Sequence, residues 1–179
     1  MSRIKEDEGE EDESPLPWKG VGSPDCEELD PYGGDVPVEK IMGTENHASA
    51  GYSRKGHVLV EQVYSGTPAS LLDRTGRLFR LMAACPAYTQ ILSFGAAGTA
   101  EVEITGHEVE VTGVKGTAFG YEATSRDTAA GGPPSRHLTV AVVRGWTTVL
   151  LQGSPTLVKE ALEPALRKVA GSRRNASEE

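Results

Sequence analysis

Cys26 and Cys85 are the only sulfur nucleophiles or thiolate ligands this 179-residue chain contains. No histidine or second cysteine lies close to either in sequence, and their spacing matches no zinc clip. Two uses remain open. They are two buried thiols acting as small apolar groups, or one disulfide that ties an irregular N-terminal segment to the end of a helix. In the loop-entropy account such a bridge contributes roughly 4 kcal/mol, and it needs an oxidising compartment. A catalytic thiol is the weaker alternative for Cys85, which lies on an apolar helical stripe directly before Pro86.

The four histidines are His47, His57, His107 and His137. None stands two or four residues from another, so no local metal clip forms. His57 and His137 each open a predicted strand and would be close if those strands were neighbours, which makes them candidate ligand contacts. No GxxxxGK[ST] phosphate loop and no GxSxG nucleophile elbow occurs. The glycine-rich string GAAGTA leads into a strand pattern, whereas a dinucleotide fingerprint needs a helix there. Glu101, Glu103, Glu108 and Glu110 alternate over a predicted hairpin; an acidic strip that attracts cations is the sharper reading, and like charges on a solvated face the default. Arg74, Arg77 and Arg80 read as the solvated side of a helix. Trp146, beside Arg144 at a predicted hairpin tip, is a candidate partner contact, because tryptophan is enriched where interfaces concentrate binding energy. No catalytic residue, metal ligand set or cofactor site is assigned.

The elements that must hold these residues follow from periodicity. Val36 and Val38 with Pro37 between them suggest a short edge strand. ENHASAGYSRKG reads as a weak strand or loop, and HVLVEQVYSG as a clearer strand. Thr67-Pro68 is a helix start, with Leu71, Leu78, Met82 and Cys85 on one stripe and Pro86 as the stop. Period-two segments follow: TQILSFG, then AEVEITG and HEVEVTGV joined at Thr105-Gly106-His107, then FGYEATSRD. HLTVAVVRGWTTVLLQGS reads as a hairpin around Arg144-Gly145, and its nearly all-apolar VAVV marks a central strand. Ser154-Pro155 opens a last amphipathic helix, in which Pro164 predicts a kink or break and Gly171 a stop. The expected fold is α+β: a two-layer arrangement of a twisted antiparallel sheet with two main amphipathic helices on one face.

Residues 1–24 read as a disordered acidic and Pro/Gly-rich tail, 25–171 as one α+β domain, and 172–179 as a polar tail. The net charge of −8 is concentrated at the start, where the run from Glu6 to Glu13 carries seven acids. The remainder lacks the clustered basic face of a nucleic-acid binder. No apolar run is long enough for a membrane-spanning helix, and no signal-peptide pattern opens the chain.

The segment HVLVEQVYSGTPASLLDRTGRLFRLMAACPAYT resembles the strand–helix–Cys-Pro unit of actinobacterial sensor-type domains, like the extracellular domain of PknH-type serine/threonine kinases and related lipoproteins. HLTVAVVRGWTTVLLQGS and the closing helix are similar to that family's C-terminal strand pair and helix. The resemblance spans about residues 26–171. It implies a sheet with helices, a cleft, and non-catalytic ligand sensing outside the membrane. Family members carry more cysteines, paired as disulfides; here only Cys26 and Cys85 are present to pair. The expected tether or lipobox is missing from this sequence. The leading expectation is therefore an extracytoplasmic sensing or binding domain for a small ligand or a protein partner, if the chain's start is truncated. The alternative is a cytoplasmic interaction protein using its acidic tail. A small enzyme with a dispersed site is the third reading.

Overall fold

The computed structural model describes residues 2–3, 19–22, 25–32, 37–93 and 98–175. The strands are β1 (Ser2–Arg3), β2 (Lys19–Gly22), β3 (His47–Arg54), β4 (His57–Ser65), β5 (Ala87–Ser93), β6 (Thr99–Glu108), β7 (Thr117–Asp127), β8 (Ser135–Arg144) and β9 (Thr147–Gly153). The helices are α1 (Val38–Met42), α2 (Pro68–Ala84) and α3 (Pro155–Asn175), with a 3-10 turn at Asp30–Tyr32. All strands join one antiparallel sheet in the order β1-β3-β4-β9-β8-β7-β6-β5-β2. The last hairpin, β8–β9, is thus inserted at the centre, where its continuous apolar run is covered from both sides.

The α+β class with both long helices against an antiparallel sheet is as expected. Their placement differs, because α2 and α3 cover opposite faces. Ala141, Val143 and Leu150 pack with Leu71, Leu78, Phe79 and Met82 of α2. Their alternates Leu138, Val140, Val142, Val149 and Leu151 pack with Leu157, Val158 and Ala165 of α3. The sheet's centre is therefore the middle of three layers. The VAVV run carries the reason: a strand apolar at successive positions needs cover on both faces.

Local chemistry explains the helix ends. The Thr67 hydroxyl accepts a hydrogen bond from the Ser70 N–H at 3.3 Å, and Pro68 fills the first helical position of α2. α3 starts at Pro155 and continues through Pro164 and past Gly171 to Asn175; of the expected kink or break at Pro164 the break does not occur, and Gly171 is no stop. Glu61, buried on the α3 side of β4, accepts hydrogen bonds from Tyr52 Oη at 3.2 Å and Lys168 Nζ at 3.3 Å. A buried carboxylate without such partners would be costly.

Three local expectations are corrected and one open alternative is resolved. Val38 lies in the short helix α1, not in an edge strand; Val36 lies outside the described residues. The segment after Met42, open between weak strand and loop, is a strand, β3. Thr105-Gly106-His107 is no turn: β6 runs through it, and the residue facing Gly106 on β7 is Ala123. Gly106 is there because the Tyr121 ring fills the space a Cβ would need. The four glutamates form no single strip, since Glu101 and Glu103 alternate with the face that Glu108 occupies and Glu110 lies beyond the strand. Of the segment ahead of Asp25, Ser2–Arg3 pairs with β3 and Lys19–Gly22 with β5; Trp18 and the acidic run Glu6–Glu13 lie outside the described residues, as does the end of the C-terminal tail from residue 176.

Candidate functional site

β9 is shorter at its end than the two strands it joins. Gly153 pairs with Leu59 of β4 and Leu138 of β8, and there the chain leaves the sheet to start α3. At Gly153, φ is +150°, and an added Cβ would collide with the Val58 carbonyl oxygen and lie 2.9 Å from Leu59 Cα. Glycine thus permits the exit. The Ser154 N–H still donates to Val58 O at 3.1 Å. Beyond that bond the ends of β4 and β8 stand apart with no strand between them.

The gap is a cleft of about 870 Å³. His57, Val58 and Val60 line it from β4, Arg136, His137 and Thr139 from β8, and Gln152 with Ser154 from the intervening chain. Val58 is 54% exposed, unusual for a valine on the face that carries the α2 core. Arg136 Nε donates to Glu122 Oε1 at 2.8 Å, so its charge is already paired. His137 is solvent-accessible but crowded by the cleft walls, and this partial desolvation holds its pKa below the usual histidine range. The first turn of α3 brings the positive end of its dipole to the same edge.

A row of side chains leads inward from the cleft. Val60, Gln152, Thr139 and Tyr121 are register partners on successive strands β4, β9, β8 and β7, so their side chains form one row on the α2 face. Gln152 and Thr139 also line a second, more enclosed cavity of about 280 Å³. Its floor adds Tyr88, Ile104, Tyr121 and Ala123, and its roof is Leu29, Val38, Met82 and Cys85. Burial and then the neighbouring Glu108 push the Tyr121 hydroxyl above the ordinary phenol pKa, so this is a neutral hydrogen-bonding wall.

The roof is held by a disulfide between Cys26 and Cys85, whose Cα atoms are 5.9 Å apart. The bridge ties residues 25–32 to the end of α2 and buries Leu29 against Leu81 and Tyr88. Asp25 reinforces the attachment by accepting from the Thr89 N–H at 2.8 Å and its hydroxyl at 3.2 Å; that backbone bond, chiefly, lowers the Asp25 pKa. Glu28 Oε2 lies 3.7 and 3.8 Å from the two sulfurs, a juxtaposition no sequence spacing announced. The three residues are close enough to chelate, but the bridged sulfurs offer no thiolate.

The sequence candidates therefore separate into two places. His57 and His137 are not on adjacent strands, since β9 lies between β4 and β8, yet they line one cleft. Arg144 and Trp146 sit at the hairpin tip, six residues back along β9 and about 20 Å away at strand rise. Trp146 is 57% exposed. Thr139, Gln152 and Val60 escaped the sequence reading, because only strand register aligns them. No protein-family model matches this chain, and no curated protein matches it.

Proposed function

We propose that this chain is a non-catalytic binding domain, acting outside the cytoplasm, that senses a small polar molecule in the groove floored by Thr139 and Gln152. The observation that carries the reading is that one pair of register partners, Thr139 and Gln152, lines both the open cleft and the more enclosed cavity. A groove with a polar floor, apolar flanks at Val58 and Val60, and a more enclosed end suits a ligand fixed by a few hydrogen bonds. Among the described residues lining the open cleft there is no carboxylate to act with His57 or His137 as an acid–base pair. The disulfide favours an oxidising compartment. The resemblance to PknH-type sensor domains points the same way.

Native mass spectrometry of the full chain recovered from its own cells tests this reading, with Thr139→Trp as the blocked variant. The expected result is a small molecule retained unchanged by the wild type and lost from the variant. Retention by both proteins would place the ligand elsewhere, and chemical conversion of the molecule during incubation would contradict a non-catalytic role.

A further inference from the structure

On the opposite face of the sheet, the segment 109–116 after β6 folds back over β7. The Val109 N–H donates to Gly120 O at 2.9 Å, and Val109, Val111 and Val114 pack onto the cluster beneath α3. This holds the segment beside α3 and leaves a depression of about 540 Å³ between them. Its apolar floor is Val114, Leu162 and Leu166, all half-buried. Its rim carries Lys115, Arg144 and Lys159, from the folded segment, the end of β8 and α3. Arg167 and Glu163 also border it but neutralise each other as an ion pair one helical turn apart. Lys115, Arg144 and Lys159 have no ion-pair or hydrogen-bond partner among the described residues. Three uncompensated cations around one apolar concavity stand out in a chain of net charge −8.

We propose that this depression binds a single-chain anionic amphiphile, such as a medium-length aliphatic carboxylate. The alkyl chain covers Val114, Leu162 and Leu166, and the head group sits among Lys115, Arg144 and Lys159. Cations from three separate elements on one rim suit an anionic head, and the apolar floor beside them removes the chain from water. The concavity favours a monomeric ligand over a bilayer surface, which needs a protruding apolar face. This site is independent of the groove on the α2 face and does not rest on it.

Titration of the full chain with decanoate by calorimetry and by amide chemical shifts tests the proposal. Acetate and decan-1-ol supply the charge-only and chain-only arms, and Lys115→Glu/Lys159→Glu is the variant. Both substitutions are at exposed positions, and circular dichroism checks that the variant folds. Expected are saturable one-to-one binding of decanoate, shifts centred on residues 112–115 and 159–167, and affinity at least about tenfold weaker for the variant, for acetate and for decan-1-ol. No saturable binding, unchanged affinity in the variant, shifts centred elsewhere, decan-1-ol binding as tightly as decanoate, or binding only to anionic vesicles would each overturn it.

Discussion

Thr139 and Gln152 face each other across the β8–β9 ladder and belong to both cavities on the α2 face. That register pair forms a wall common to the two depressions. It exists because β9 ends one position later, at Gly153, while β4 and β8 continue.

The exit at Gly153 should therefore be sensitive to a single methyl group. Gly153→Ala places a Cβ against the Val58 carbonyl and the Leu59 backbone, neither of which can rotate away. The expected cost is about 1–3 kcal/mol in urea unfolding, with perturbed amide shifts at Val58 and Ser154. A loss under about 0.5 kcal/mol would mean that the strand end yields to the added methyl group.

His137 should titrate below the ordinary value of 6.5, because desolvation in the cleft disfavours the imidazolium. The native state thus binds its proton less readily than the unfolded chain. The stability this group contributes is full above 6.5 and is lost as pH falls from there through the lower folded value. An NMR titration should give a midpoint under 6.5, and His137→Gln should lessen the destabilisation between about pH 7 and about pH 5. A midpoint above 6.5 would reverse the sign and indicate an anionic neighbour.

Three polar atoms under α2, Gln62 Oε1, Tyr64 Oη and Thr148 Oγ1, are buried without a hydrogen-bond partner among the described residues. Tyr64 and Thr148 are register partners, and burial, then the nearby Glu39, pushes the Tyr64 pKa up to about 12. Removing an unsatisfied hydroxyl without changing shape should not destabilise the fold. Thr148→Val is expected to leave stability unchanged or raise it by up to about 1 kcal/mol in thermal or urea melts. A loss larger than about 1 kcal/mol would show that the hydroxyl makes a favourable interaction.

Breaking the Cys26–Cys85 bridge should loosen the roof of the enclosed cavity. Cys26→Ser/Cys85→Ser is expected to lose about 2–4 kcal/mol of stability, and amide exchange should rise first at Leu29 and Tyr88, which the bridge holds together. Unchanged exchange at those two residues would mean that Asp25 and the packing of Leu29 hold the segment without the bridge.

The sequence made most elements legible and the site only in part. The start of α2 at Thr67-Pro68 and the β8–β9 hairpin were readable from capping chemistry and alternation. Gly106 predicts a turn from its local sequence, because the reason for that glycine lies on another strand, in the Tyr121 ring. The apolar VAVV run identified a central strand, yet its full consequence, a helix on each face, depends on where α2 and α3 return in three dimensions. His57 and His137 were singled out, but what joins them is the early end of β9. Thr139 and Gln152 carry no local signal, since a threonine and a glutamine in alternating strands are ordinary until register places them side by side.

The most direct test of the groove is an NMR screen of small polar fragments against the full, disulfide-bonded chain. Hits are expected to shift Val58, His137, Thr139 and Gln152 together and to compete with one another. Hits that scatter over the surface, or that gather at Trp146 and leave those four residues unmoved, would contradict it.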